Sequence, residues 1–304
     1  MTISATIIKD SENENSVRIT TFELVYPRIV HSELMTHRLF SRNSASSRAI
    51  PVKAMLELIE KDPAMPSHWG KNQAGMQADE ELDDTNKAAA KGLWLEACKQ
   101  AVSVAKVMAD IGVHKQVINR ITEPFQHMKV VLTATEFNNW WYLRDHKDAD
   151  PTIRELAVAM RKEYMLSLPE ELNAGLWHMP YVKSSLEKGR GLQMNQTFYD
   201  EDNVVISLEQ ALKISVSCCA QVSYRKQDTS LDKAEKIYQR LIESKPCHAS
   251  PTEHQAQSVY NRAWDLSELA EGITHQDREG VDWSGNFREW VQYRQILTGN
   301  VVTG

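Results

Sequence analysis

The stretch from Glu80 to Ile111 constrains the fold most: Leu93, Ala97, Ala101, Ala105 and Met108 recur along it at helical spacing until Gly112 ends it. A helix this long, apolar along one stripe, needs a second layer to cover that stripe. Arg18 to Tyr26 puts Phe22, Leu24 and Tyr26 on one face at period two and stops at Pro27, which is the pattern of a strand. Arg28 to Met35 reads as helical, and Pro51 to Lys61 carries Val52, Met55, Leu56 and Ile59 at helical spacing. A loop rich in Pro, Gly and Asn, Asp62 to Gly75, separates that helix from the long one. Thr135 opens a predicted helix to Lys147, although Asn138 stands where a capping box has an acid or Gln. Pro151 begins another, through Ile153, Leu156, Ala157 and Met160. Asp200 to Asn203 reads as a turn, and Leu208 to Cys219, Leu231 to Glu243 and Asn286 to Leu297 read as further helices. Helices dominate over strands, and no repeat or long linker divides the chain.

Thr36 to Arg48 breaks this pattern. It holds three Arg, one His, one Asn and four Ser among few apolar residues, so it adds little to a core. Arg presents a planar fork to phosphate oxygens, and hydroxyls and loop N–H groups fill the remaining acceptors. The composition of the 304-residue chain as a whole is that of an ordinary globular protein, 42% hydrophobic and 25% charged. Its net charge of −6 argues against a nucleic-acid polymer as partner. The local cations at Arg38 to Arg48, Arg120 and Arg144 fit a small anionic ligand instead. No run of about 18 apolar residues is present, which argues against a membrane span. Met1 to Ser16 turns polar and acidic after Ile8, unlike a signal peptide, so a cytoplasmic location is expected. The four Cys form no C-x-x-C pair and read as reduced thiols, with no metal site expected.

The run His37-Arg38, Ser41, Asn43, Ser46, Arg48 resembles the signature of flavin-dependent thymidylate synthases: Arg-His-Arg, a short spacer, Ser, then Arg. Thr21-Phe22 and Pro27 upstream sit at the family's spacing for the elements that deliver this loop. Downstream, Asn119-Arg120 resembles an Ala-Arg pair, Asn139 to Leu143-Arg144 an Asn-x-x-x-Leu-Arg helix, and Ala149 to Ile153-Arg154 the segment after it. A second piece stands out of order. Cys219 to Tyr224, the helix after Leu231, and His248-Ala249-Ser250-Pro251-Thr252-Glu253-His254 resemble the family's N-terminal part, yet here they follow the signature. A circular permutation accounts for that order, since it is tolerated where chain termini lie close together at the surface.

The resemblance implies an α+β fold, a sheet flanked by long helices, in a single domain spanning 1–304, with 256–304 an added helical segment. It implies conversion of dUMP to dTMP with methylenetetrahydrofolate as carbon donor, FAD as hydride carrier and NADPH as reductant, in a homotetramer with sites between subunits. By position, Ser46, Ser47 and Arg48 would bind the nucleotide phosphate, helped by Arg120, with Arg38 and Ser44 in the same substrate site. Arg144 would sit against the uracil ring and stabilise the negative charge that builds on the base, the one catalytic assignment. His37, Asn43, Asn139, Ser223, Ser250 and Glu253 would contact FAD, and no enzyme nucleophile is implied. Four positions depart from the pattern. Thr36 replaces the first Arg of the signature, Glu33 a common Gln, Ser44 a common Glu, and Asp148 a His that often contacts the flavin. Glu33 would put an acid near a phosphate unless it points away.

Blander readings stand beside these. The polar run could be a solvated loop, and Arg120 and Arg144 surface ion-pair residues. Trp140, Trp141 and Tyr142 read as core and interface rather than a stacking platform. His248 and His254 are six apart with Pro251 between them, unlike a zinc-binding helix. Pro246-Cys247-His248 resembles the nucleophile region of the other, folate-only thymidylate synthases, but nothing else of that family is visible. The competing functions are flavin-dependent C5 alkylation of another pyrimidine nucleotide, and a non-catalytic nucleotide-binding relative.

Overall fold

A five-stranded sheet carries the polar run along one edge. The computed structural model describes residues 3–189, 194–223, 226–259, 273–276 and 280–299. Strands β1 (Ser4–Asn13) and β2 (Arg18–Pro27) form an antiparallel hairpin, Ser4 opposite Val25 and Glu12 opposite Arg18, with a bulge between Ile7 and Lys9. A 3-10 turn (Arg28–Val30) and helix α1 (His31–Met35) lead into β3 (Ser41–Ser44). Helices α2 (Val52–Lys61), α3 (Asp84–Asp110) and α4 (Lys115–Ile121) come next, then β4 (His127–Ala134). Helices α5 (Asn138–Arg144) and α6 (Pro151–Leu166) precede β5 (Glu170–Leu172). The sheet order is β3-β4-β2-β1-β5, with β5 parallel to β1 and every other pair antiparallel.

The second half adds small sheets around one buried helix. Strands β6 (Trp177–His178), β7 (Lys183–Lys188), β8 (Met194–Tyr199) and β9 (Val205–Ile206) precede α7 (Leu208–Ala220) and α8 (Leu231–Tyr238). Strands β10 (Ala256–Ser258), β11 (His275–Gln276), β12 (Asp282–Trp283) and β13 (Trp290–Gln292) follow, with α9 (Tyr293–Ile296) last. Strands β13, β10 and β6 form one sheet and β7, β8 and β9 another. This is the expected α+β class. No described helix is long and apolar enough to cross a membrane.

The main core lies between the large sheet and α6. Phe22, Leu24 and Tyr26 are fully buried on one face of β2, as their period-two spacing requires, and Ile153, Leu156, Ala157 and Met160 of α6 close over them. Each such side chain contributes roughly 1.5–3 kcal/mol on leaving water. A second core joins α2, α3 and α4 through Met55, Leu56, Ile59, Cys98, Val102, Ala105, Ile118 and Phe125.

Five expectations need correction. The long helix begins at Asp84, where the Asp83 carboxylate accepts from Asn86 N–H, and not at Glu80. Its buried stripe is Cys98, Val102 and Ala105, with Ala101 and Met108 packed against it as expected, whereas Leu93 is 72% exposed and Ala97 is exposed too. The helix expected from Thr135 starts at Asn138, because the Thr135 hydroxyl instead accepts from Arg288 N–H. Thr36 to Arg48 is not wholly loop, since Ser41–Ser44 pair with Val130–Thr133 as the edge strand. Asn286 to Leu297 is no helix through most of its length: Trp290–Gln292 form a strand that packs, with Phe287, against Val17 and Ile19. Ala256, Phe287 and Trp290 therefore belong to a core with Val17 and Ile19, while 260–272, 277–279 and 300–304 of the expected added segment lie outside the described residues.

Candidate functional site

The polar run touches three separate groups of side chains as it crosses the sheet edge. The first lies at its start. Glu33 lies in helix α1 and Thr36 and His37 in the turn that ends it, closed by Thr36 N–H to the Glu33 carbonyl and His37 N–H to the Leu34 carbonyl, both at 3.2 Å. All three accept from one guanidinium: Arg144 Nη1 donates to Glu33 Oε2 at 2.7 Å, Nη2 to Thr36 Oγ1 at 3.2 Å and Nε to His37 Nε2 at 3.1 Å. His37 is buried, stacked on Phe40 at 5.7 Å and edge-on to Trp140 at 4.8 Å. Burial, then the Arg144 and Arg42 charges, lower its pKa to about 4. Burial raises the Glu33 pKa, against the opposing pull of Arg144. A cavity of about 380 Å³ opens beside this cluster, lined by Arg144, Tyr142, Leu143, His146, Asp148 and Ala149.

The second group joins distant parts of the chain. Ser46 N–H donates to Ser223 Oγ at 2.8 Å, and Asn43 Nδ2 donates to the Cys219 carbonyl at 3.1 Å. Strand β3 also packs against the 3-10 turn Ser250–Glu253. Gln292 ties that turn to the strand, its Nε2 donating to Ser41 Oγ and to the Glu253 carbonyl, both at 2.9 Å. Glu253 is ion-paired with Arg294. Arg42 Nη1 donates to the His37 carbonyl at 2.6 Å, while its buried Nε has no partner among the described residues.

The third group closes the run. Asn119 Nδ2 donates to the Ser47 carbonyl at 2.7 Å and the Ile50 carbonyl at 2.9 Å, tying the turn that carries Arg48 to the helix that carries Arg120. Ser47 is buried, and its hydroxyl donates to Glu123, itself paired with Arg28. Arg38, Arg48 and Arg120 are exposed and make no ion pair among the described residues.

The structure thus brings His37 to Arg144 and Asn43 and Ser46 to the Cys219–Ser223 segment, and ties the turn that carries Arg48 to the helix that carries Arg120. Asn139 and Ser250 are exposed, and no side-chain hydrogen bond joins either to these groups. Ser44 is half-buried in β3, opposite Val130. Tyr224 lies outside the described residues. Arg42, Asn119, Glu123 and Gln292 had no site assignment from sequence; Arg42 carried a signal in its place inside the polar run, and Asn119 in its place beside Arg120 in a matched pair.

A family model described as thymidylate synthase complementing protein matches residues 17–170, a span holding β2, the whole polar run, Arg120 and Arg144. The chain belongs to that family. A comparison with the curated proteins finds no match. Among solved structures, the chain is similar to a UMP/dUMP methylase, PolB, from Streptomyces cacaoi bound with 5-Br UMP. That likeness has 15% identity and a TM-score of 0.46, over 53% of this chain and 88% of that one. The 5-Br dUMP complex of the same protein gives 15% identity and a TM-score of 0.44, over 53% and 89%. The thymidylate synthase complementing family match ends before Cys219, so that segment's part in the site rests on the contacts above.

Proposed function

We propose that this protein methylates C5 of dUMP reductively to give dTMP, using methylenetetrahydrofolate as carbon donor, FAD as redox cofactor and NADPH as reductant. The family match supports nucleotide methylation, and one observation carries the finer reading. The two segments that separately resemble flavin-dependent thymidylate synthases meet at the Ser46–Ser223 and Asn43–Cys219 hydrogen bonds, although they lie far apart in sequence. That adjacency also supports reading their order as a circular permutation.

The donor set fits a phosphate-bearing ligand: among the described residues Arg42 Nε is buried without a partner, and Arg38, Arg48 and Arg120 are exposed without an ion pair. When bound, the flavin supplies the hydride transfer. His37, Asn43, Asn139, Ser223, Ser250 and Glu253 would hold it. Arg48, Arg120 and the Ser46 hydroxyl, with Arg38 nearby in sequence, would take the nucleotide phosphate. Ser47 serves by fixing the turn through Glu123 rather than by offering its hydroxyl. Arg144 would face the uracil, where a cation offsets the negative charge that builds on the ring. Self-association, as the proposed homotetramer requires, is supported by the outer side of α3 and its C-cap, where Leu93, Val104, Val107 and Ile111 are 52–74% exposed.

A second reading, alkylation of another pyrimidine nucleotide, is favoured by the Arg144 cluster, two of whose three partners, Glu33 and Thr36, depart from the family pattern. The deciding experiment is dUMP-dependent oxidation of NADPH by the yellow holoprotein with methylenetetrahydrofolate present, repeated with UMP. Turnover with dUMP supports the leading reading, and turnover with UMP alone the second. Binding of either nucleotide without flavin or turnover supports a non-catalytic relative.

A further inference from the structure

Arg144 has five N–H groups, and three are already spent inside the protein. Nε–H goes to His37, one N–H of Nη1 to Glu33 and one of Nη2 to Thr36. Two are left, one on each terminal nitrogen. The acceptors are themselves fixed. The Thr36 hydroxyl donates to the Glu33 carbonyl at 2.7 Å, which turns its lone pairs toward Arg144. His37 is held between Phe40 and Trp140. The guanidinium is thus held at three points, by acceptors of the short stretch from Glu33 to His37.

The charge is settled as well. Glu33 neutralises Arg144, and the adjoining cavity carries a further acid, Asp148. A phosphate dianion placed there would meet no net positive charge. An uncharged acceptor needs no net charge and could take the two N–H groups that Arg144 has left. The exposed cations Arg38, Arg48 and Arg120 show the opposite character, without an ion pair among the described residues.

Resting on the function proposed above, we propose that Glu33 and Thr36 are positioning residues for this reaction: they hold and neutralise Arg144 so that it reads a ring carbonyl of the pyrimidine and not the nucleotide phosphate. The departures from the family signature at 33 and 36 are then a matched pair. A second Arg at 36 would compete with Arg144 for Glu33 and repel its guanidinium.

The test uses the full-length holoprotein with Glu33→Gln, Glu33→Ala and Thr36→Val, read by turnover and by the rate at which phenylglyoxal modifies Arg144, mapped by peptide mass. Glu33→Ala should lower kcat for dUMP-dependent NADPH oxidation about tenfold or more while KM for dUMP moves less than about threefold, since orientation rather than affinity is lost. Glu33→Gln keeps an acceptor and should fall between Glu33→Ala and wild type, which a merely unfolded variant would not do. Arg144 should react several-fold more slowly than Arg48 in wild type, and that gap should narrow in Glu33→Ala and Thr36→Val. Unchanged kcat in Glu33→Ala, tighter dUMP binding, or an unchanged Arg144 rate would overturn the proposal. Wild type that neither binds nor turns over dUMP would sink the parent reading instead, and the phenylglyoxal rates would still decide whether the clamp exists.

Discussion

Arg144 Nε donates to His37 Nε2 at 3.1 Å, so Nε2 is bare and the imidazole is the neutral Nδ1–H tautomer. A protonated His37 would turn that hydrogen bond into a clash of two donors and two charges. Burial first, then Arg144 and Arg42, hold the His37 pKa down at about 4. His31 is held at about 4 by burial and by Arg28 and Arg42, and His254 at about 3 by burial.

The pH dependence of stability follows with a definite sign. Between the unfolded value near about 6.5 and these folded values, the unfolded chain binds protons that the native chain refuses. Stability is therefore full above about pH 6.5 and is lost as the pH falls toward about 4. Urea melts in steps from neutral pH down to about pH 5 should show midpoints dropping steadily. A flat profile across that window would contradict the neutral assignment of these histidines.

A buried chain of polar groups crosses the sheet from Ser11 to His178, Thr21, Thr133 and His254, at 2.9, 2.8, 2.7 and 2.9 Å. All five residues are fully buried. Thr133→Val removes two of these bonds and leaves Thr21 and His254 short of a partner. It should cost about 1–3 kcal/mol in denaturant unfolding.

Trp290 is fully buried, and its Nε1–H donates to the Val17 carbonyl at 3.1 Å. Trp290→Ala should destabilise the protein by about 3–5 kcal/mol. A loss below about 0.5 kcal/mol, the range of surface substitutions, would mean that this segment is an appendage after all.

Arg48 and Arg120 are exposed, so alanine at either should leave the unfolding midpoint nearly unchanged, within about 0.5 kcal/mol. Each should raise KM for dUMP about tenfold, equivalent to one lost charged contact, with a smaller effect on kcat. A kcat effect with KM intact would move these residues away from the phosphate.

Cys247 is half-buried beside His248 and touches none of the three groups of the site through a side-chain hydrogen bond. Cys247→Ala should retain most of the activity, measured as dUMP-dependent NADPH oxidation. Complete loss would revive the nucleophile reading.

Much of the architecture was legible from local pattern. The period-two run of β2, the helical runs of α2, α6 and α7, and the stop at Gly112, whose φ is +84°, lie where spacing and backbone freedom put them. Strands β1 and β4 were missed. Polar residues of β1 are consumed in the sheet interior, as where Asp10 takes Arg18 in an ion pair at 2.6 Å, so its alternation does not read as apolar-in and polar-out. Thr133 and Thr21 in β4 and β2 hide a buried polar seam in the same way. The stripe of α3 was right at Ala101, Ala105 and Met108 and wrong at Leu93, because two apolar sets share that helix, one packed on α2 and α4 and one facing out.

The sequence by itself determined which residue types gather in the polar run, and the resemblance that run carries, because local chemistry and spacing survive in one dimension. Tertiary structure alone decided their partners. That Ser46 meets Ser223, that Gln292 staples Ser41 to Glu253, and that Glu33 faces Arg144 follow from strand order and helix packing, which bring together residues with no periodic relation. Glu33 shows the difference best. Read along the chain it is an acid misplaced near a phosphate; in the fold it is the counter-charge of Arg144.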